Sequence, residues 1–356
     1  MVTKHDVLVN LTWRSLDWLT AILLFHIIPS RGKSINMKTN FVSDITNIKD
    51  GDQVEDIFLV KVKQQLLRKD GKPYLMLKVC DRTGTIDGKV WDGVGELTGR
   101  FAADDIVMIK GIMSSYKGTK ELNIKTIERM ADDAVDLSDF VAVSEYDFDS
   151  LEKRFYSVIT GLKNPFLKKL LTLFYEDKEF MELFKIAPAA KEIHHAYLGG
   201  LLEHSLEIVE LCRDMKNHYA EIDLDLLTAG ALLHDVGKVR ELKYRRSLDY
   251  TDEGRLIGHI MIGVEMVDEK IRLIGDFPSG LAMLIRHLIV SHQGTNEWGS
   301  PKEPQTLEAI ILHNLDDLSA KVNVFRKAVR TDSGEGDFTS FNKPLGRYLY
   351  KGRNTE

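Results

Sequence analysis

Two hydrophobic periods divide the chain. From residue 54 to about 130, apolar and polar residues alternate, the period-2 signature of strands with one buried face. VEDIFLVKVKQQ (54–65) opens the series, Asp70-Gly71 supplies a hairpin turn, and YLMLKVCD (74–81) follows. A Thr83-Gly84 turn leads into TIDGKVWD (85–92). After a predicted helical stretch around 95–103 come DIVMIKGIMSSY (105–116) and ELNIKTIE (121–128), joined by Lys117-Gly118. Beyond residue 150 the spacing becomes helical. LEKRFYSVITGL, PFLKKLLTLFYE and KEFMELFKI predict three short helices, with Pro165 suited to a first turn. From 196 to 330 every long segment reads as helix.

Five short strands with one helix before the fourth is the arrangement of an OB-fold barrel, although other small barrels share the pattern. The expected architecture is multidomain α and β, an N-terminal OB-fold β-barrel followed by an all-α domain. The expected boundaries are 37–130 for the barrel, 131–185 for an acidic linker with short helices, 186–330 for the helical domain and 331–356 for an aromatic, basic tail. Residues 131–150 hold seven acids and no Lys or Arg, which reads as a solvated linker. The apolar run at 18–28 is too short to span a bilayer, which takes about 20 residues, and no small-x-small cleavage site follows it. Residues 1–36 are expected to be an apolar extension with no stable membrane association; the leading reading is a start-site artefact with Met37 as the true start, where ordered-looking patterning begins, and an interfacial helix and a secretion signal are the alternatives.

Composition narrows the class. A chain of 356 residues with 44% hydrophobic and 29% charged residues, 26 Gly and 8 Pro is neither disordered nor collagen-like. Two cysteines, Cys80 and Cys212, cannot build a disulfide framework or a cysteine zinc module, so a reducing, cytoplasmic setting is expected. A net charge of -6 excludes coating of nucleic acid by bulk electrostatics but leaves room for a local basic groove. Most of the eleven histidines fall after residue 190.

The chemical signal is strongest in GALLHDVGK, where His234 and Asp235 end an apolar helix. Polar groups on a buried face must be paired or coordinated, or they cost stability. His204, His259, His292 and Asp316 also lie on or near apolar stripes of predicted helices. One such histidine alone is usually a satisfied core residue; six imidazoles and carboxylates from 204 to 316 point to metal. Imidazole and carboxylate without thiolate suit Mn, Fe, Zn or Mg. More ligands than one ion needs suggest two ions, an arrangement suited to in-line displacement at phosphorus.

His204, His234-Asp235 and Asp316, in that order, resemble the H…HD…D signature of the HD-domain metal-dependent phosphohydrolase superfamily. With the words HHAYLGGLLEH, GALLHDVGK, IGH, HLIVSHQGTNEWGSPKEP and EAIILHNLDDLSAK behind a barrel, residues 37–350 resemble the YhaM-type 3′-5′ exoribonucleases, an OB-fold joined to an HD domain. The resemblance implies that His204, His234, Asp235 and Asp316 are core ligands, with Asp235 bridging two ions and His259 and His292 completing the second. Manganese is the expected ion; Fe, Mg, Zn and Co are alternatives. Asp235 and Lys238 are the implied catalytic residues, Lys238 near the scissile phosphate; its plainer role is charge complementarity at a helix C-terminus. His287, His313, His194 and His195 would support the ligands from behind or touch substrate phosphate. The family's SHHG word reads His292-Gln293 here, which leaves one ligand open.

The implied activity is metal-dependent 3′-5′ exonuclease action on single-stranded RNA, with ssDNA as a further substrate, by hydrolysis to 5′-mononucleotides. The rivals are a small-nucleotide phosphohydrolase or cyclic-nucleotide phosphodiesterase, and a non-catalytic RNA-binding module. OB-folds hold single strands by stacking bases on aromatics while cations follow the backbone. Tyr74, Trp91 and Tyr116 with Lys72 and Lys89 are the expected contacts, with Phe58 a further aromatic in the same strands. A homo-oligomer is compatible with this reading.

Overall fold

The computed structural model describes residues 38–352 except 132–133, 192–194 and 245–247. The apolar run at 18–28 and His194 lie outside the described residues. The chain divides into two compact units between Val141 and Ala142.

In the first unit, β1 (Gln53–Leu67), β2 (Pro73–Asp81), β3 (Gly84–Val90), β4 (Ile106–Tyr116) and β5 (Thr119–Arg129) close a barrel in the order β1-β2-β3-β5-β4. All neighbours are antiparallel except β3 and β5. The alternation does what period 2 requires: Phe58, Val60, Leu75, Leu77, Val79, Val107, Ile109 and Leu122 are completely buried. Register shifts that leave Lys61 of the first strand and Lys125 of the fifth as extra residues bend those strands around the barrel.

A short helix α1 (Val42–Ile45) precedes the barrel. Beside it, the buried Lys38 ammonium donates to the Ile57 carbonyl at 2.6 Å, faces Asp81 at 3.3 Å and Asp56 at 3.7 Å, and lies 3.7 Å from the centre of the Phe58 ring. The helix before the fourth strand, α2 (Val94–Leu97), is a single turn, shorter than the predicted 95–103. Glycines at 93, 95 and 99 raise its entropy cost, and Gly93 sits at φ 69°.

The second unit is helical: α3 (Phe148–Gly161), α4 (Pro165–Glu176), α5 (Lys178–Ile186), α6 (Gly200–Lys216), α7 (Leu224–Leu233), α8 (Lys238–Glu241), α9 (Asp252–Leu256), α10 (His259–Arg272), α11 (Ser279–Ser291) and α12 (Leu307–Thr331). A two-residue antiparallel pair, β6 (Leu242–Lys243) with β7 (Asp249–Tyr250), follows α8. Side chains of Asp147, Asn164, Asp177, Asp223 and Thr306 accept from the first amides of α3, α4, α5, α7 and α12.

One apolar core runs from Leu151 to Leu315, so α3–α5 share it with the helices that carry the histidines. The acidic stretch is more structured than a solvated linker. Asp136 accepts from the Ser138 amide, Phe140 and Val141 are buried, and Val143 bridges to Leu198. Every residue of α7 from Leu226 to Leu233 is buried, so this helix is central and delivers whatever follows it to the middle of the unit. The tail folds back through bridges Phe338–Tyr350 and Asn342–Arg347, held by the Lys351–Asp332 ion pair at 2.9 Å.

Candidate metal centre

The central helix α7 ends at Leu233, and the next two residues are the His234-Asp235 pair. The Val236–Glu241 segment then turns back under α10. This close approach needs glycine: a Cβ on Gly237 would stand 2.0 Å from the His259 carbonyl oxygen. His204 comes from α6, His259 opens α10, His292 follows α11, and Asp316 comes from α12.

The six residues converge. His204 Nε2 lies 3.1 Å from Asp316 Oδ1, and His234 Nε2 lies 3.9 Å from that oxygen and 3.3 Å from Asp235 Oδ2. The Nε2 atoms of His259 and His292 are each 3.5 Å from Asp235 Oδ1. The ligand atoms of His204, His234 and Asp235 lie within 4.8 Å of one another, as do those of Asp235, His259 and His292. Two trios therefore share Asp235.

Two polar atoms aimed into the centre have close neighbours but no hydrogen bond. His234 Nε2 and Asp235 Oδ1 are buried and make no hydrogen bond among the described residues, a costly state unless something else engages them. Imidazole nitrogens and carboxylate oxygens, with no thiolate, suit a borderline or hard divalent cation. The thiols take no part: burial pushes Cys80 up to about 11 and Cys212 up to about 12. The residues present thus fit such cations.

Each imidazole is held from behind. His234 Nδ1 faces the Ala231 carbonyl at 2.9 Å and His292 Nδ1 the Ile289 carbonyl at 2.8 Å. A carbonyl only accepts, so Nδ1 carries the proton and Nε2 presents its lone pair to the centre. His204 Nδ1 lies 3.4 Å from Ser319 Oγ, which donates to Glu207 at 3.2 Å. His259 Nδ1 faces Glu241 Oε1 at 2.9 Å.

Charges at the centre reinforce one another. Burial works to raise Asp235, but Lys238 at 2.6 Å and His234 hold its carboxyl well below the ordinary range. Burial likewise opposes ionised Asp316, which contact with His204 and His234 keeps low. Burial lowers His204 and His292, favouring the neutral, ligating form. For His234 burial is outweighed by Asp235, and its value rises.

The supporting histidines stand elsewhere. His195 is buried, 2.6 Å from the Tyr197 hydroxyl through Nδ1 and 3.2 Å from Glu207 through Nε2, so its ring faces protein groups rather than an open phosphate site. With His204 and Glu207 it forms a third trio of the same spacing, on the outer side of His204. His287 Nε2 accepts from the Gln305 amide at 2.9 Å, away from the cluster. His313 Nδ1 lies 2.8 Å from the His292 carbonyl and so props the segment carrying that ligand. Gln293 places its amide nitrogen 3.3 Å from His259 Nε2.

Glu241, Glu207 and Ser319 escaped sequence reasoning. Glu207 stands three residues after His204 and Ser319 three after Asp316, spacings that share a helical face and could have flagged them; Glu241 lies beyond the turn that follows His234, so no helical spacing pointed to it.

On the barrel, Tyr74 and Trp91 stack at 4.9 Å between ring centres, with the Arg68 guanidinium 5.0 Å from Trp91. Lys89 pairs with Glu121 at 2.6 Å and lies 4.7 Å from the exposed Tyr116 ring. Lys72 is exposed in the turn between β1 and β2. Phe58, completely buried, belongs to the core.

Comparison with known proteins places both units. The HD-domain family matches residues 201–321, a family described as an OB-fold nucleic acid binding domain matches 58–130, and one described as a putative helicase matches 160–222. A curated relative, the 3′-5′ exoribonuclease YhaM of Geobacillus sp. (strain WCH70), is 34% identical over 305 residues, covering 83% of this chain and 93% of that protein. Among solved structures, a replication protein A heterotrimer bound to ssDNA is 14% identical over 27% of this chain and 82% of its own, with a TM-score of 0.22. The second OB-fold domain of replication protein A from Methanococcus maripaludis is 21% identical over 24% of this chain and 91% of its own, with a TM-score of 0.20.

Proposed function

The chain belongs to the YhaM-type 3′-5′ exoribonuclease family, and from that premise we propose that it shortens single-stranded RNA from the 3′ end by metal-dependent hydrolysis, releasing 5′-mononucleotides. The observation that carries this reading is the pair of ligand trios sharing Asp235. His204, His234, Asp235 and Asp316 would hold one divalent cation, and Asp235, His259 and His292 a second, with manganese the expected ion. When bound, such cations make hydroxide available from water near neutral pH and offset charge on phosphoryl oxygens.

The chain's own residues supply the rest. Burial of the donors excludes bulk water and so strengthens each electrostatic contact. Lys238 sets an ammonium beside the shared carboxylate, where it offsets charge developing on a phosphoryl oxygen, a term that usually dominates such reactions. Tyr74, Trp91 and Tyr116 offer stacking faces for bases, and Arg68, Lys72 and Lys89 offer cations for the backbone. Both cysteines are free thiols, in keeping with a reducing cytoplasm. No helix of the described residues is long and apolar enough to cross a membrane.

The test is a 5′-labelled single-stranded RNA incubated with the protein in Mn²⁺, Mg²⁺ or EDTA and resolved on a sequencing gel. A metal-dependent ladder shortening from the 3′ end is expected. RNA left intact while small phosphoesters are cleaved would move the assignment to a nucleotide phosphohydrolase.

A further inference from the structure

The four imidazoles of the centre are not held alike. His234 and His292 follow the ends of α7 and α11, so a carbonyl three residues back is available to each Nδ1. His259 is the first residue of α10. At a helix N-terminus the preceding turn offers no such carbonyl, and the first amides themselves lack partners. Gly258, at φ 78°, contributes no capping side chain.

Glu241 resolves both problems with one atom. Its Oε1 accepts from the His259 backbone amide at 3.0 Å and faces His259 Nδ1 at 2.9 Å. Because a carboxylate only accepts, Nδ1 carries the proton and Nε2 is left as the lone pair directed at Asp235 Oδ1. The side chain is almost enclosed, at 10% exposure, so solvent competes little for this bond. Among the described residues, no other ligand of the centre is held in this way by a carboxylate at its own helix start.

We infer that Glu241 is a positioning residue that fixes the tautomer and direction of His259 and thereby sets the affinity of the Asp235–His259–His292 trio for its cation. The inference rests on the two-cation reading above. A carboxylate behind a ligating histidine also raises its basicity, and loss of such a partner typically weakens metal binding by about 10–100-fold.

The test titrates metal-stripped, full-length protein with Mn²⁺, following free Mn²⁺ by electron paramagnetic resonance. Wild type is expected to take up two ions per chain. In Glu241→Ala one ion should bind as before and the other about 10–100-fold more weakly, while Glu241→Gln, which keeps an acceptor but not the charge, should fall between them. Histidine ¹⁵N spectra of the metal-free protein should show one imidazole losing its fixed Nδ1–H tautomer in Glu241→Ala. Two variants that bind both ions with wild-type affinity would overturn the inference even if their melting temperatures fell, because that is the signature of helix capping alone. A wild type that takes up no second ion would overturn the two-cation reading and this inference with it.

Discussion

Asp235 divides its carboxylate between two neighbourhoods: Oδ2 lies 2.6 Å from the Lys238 ammonium, and Oδ1 lies 3.5 Å from the Nε2 atoms of both His259 and His292. One oxygen is held by a fixed positive charge, and the other is buried with no hydrogen bond of its own. The residue joins both ligand trios and orients the lysine.

Replacing it separates two effects. Asp235→Asn and Asp235→Ala should each lower hydrolysis by at least about a hundredfold, the scale of losing one major electrostatic contact. Asp235→Ala should also destabilise the metal-stripped protein by about 3–5 kcal/mol, because it leaves Lys238 buried without its partner. The amide should restore part of that. Turnover assays with melting curves in EDTA check both; wild-type turnover in either variant would remove Asp235 from the centre.

Lys238→Met should lower kcat by about 10²–10³-fold while leaving Mn²⁺ affinity undiminished, since a competing positive charge is removed. A variant with normal kcat and only a lower melting temperature would reduce Lys238 to a helix-end charge.

Trp91→Ala should weaken binding of single-stranded RNA by about 1–3 kcal/mol, the usual value of one stacked base. Fluorescence anisotropy in EDTA isolates binding from cleavage. Unchanged binding with a lower melting temperature would show that Trp91 serves the barrel through its stack on Tyr74.

Adding Mn²⁺ to stripped protein should raise the melting temperature of the helical unit. At a hundredfold excess over Kd, one site contributes about 2.7 kcal/mol, or a rise of roughly 5–10 °C for a unit of about 200 residues. A thermogram with no Mn²⁺ dependence would contradict the fit between donors and cation.

Acid should weaken the barrel through Asp56. Burial works to raise its carboxyl, but the Ile57 amide at 2.7 Å and the Lys38 ammonium prevail and hold it below its ordinary value. A carboxyl lowered on folding stabilises above its unfolded value of about 3.9, and that contribution disappears as pH falls through the folded value. Lys38 has the opposite sign: burial lowers its pKa, so its charge costs stability until pH rises towards about 10.4. Melting curves should therefore drop below about pH 4, and Asp56→Asn should lower stability at pH 7 and flatten that acid limb. An unaltered acid limb in the variant would assign it to other carboxyls.

The strands were legible because alternation over 54–128 leaves a barrel as the way to bury one face of every strand, and their turns carry Gly where the backbone requires it. Parity along a strand does not say which face is inside, so Phe58 could be separated from Tyr74 and Trp91 only by the closed barrel. The helix predicted around 95–103 forms only as the single turn Val94–Leu97, because Gly95 and Gly99 make a longer helix entropically costly.

Polar residues on apolar helical stripes betrayed themselves in the same way, since His204, His234 and Asp235 are too expensive to bury unless paired or coordinated. Sequence patterning thus settled which elements form and which side chains must meet a compensating partner. Their meeting was decided by tertiary packing. A central helix buried from Leu226 to Leu233 carries His234-Asp235 into the core, and Gly237 admits α10 so closely that His259 falls within reach of Glu241. Periodicity describes one element at a time, whereas the orientation of an imidazole depends on the element behind it, and only the packed helices bring that element there.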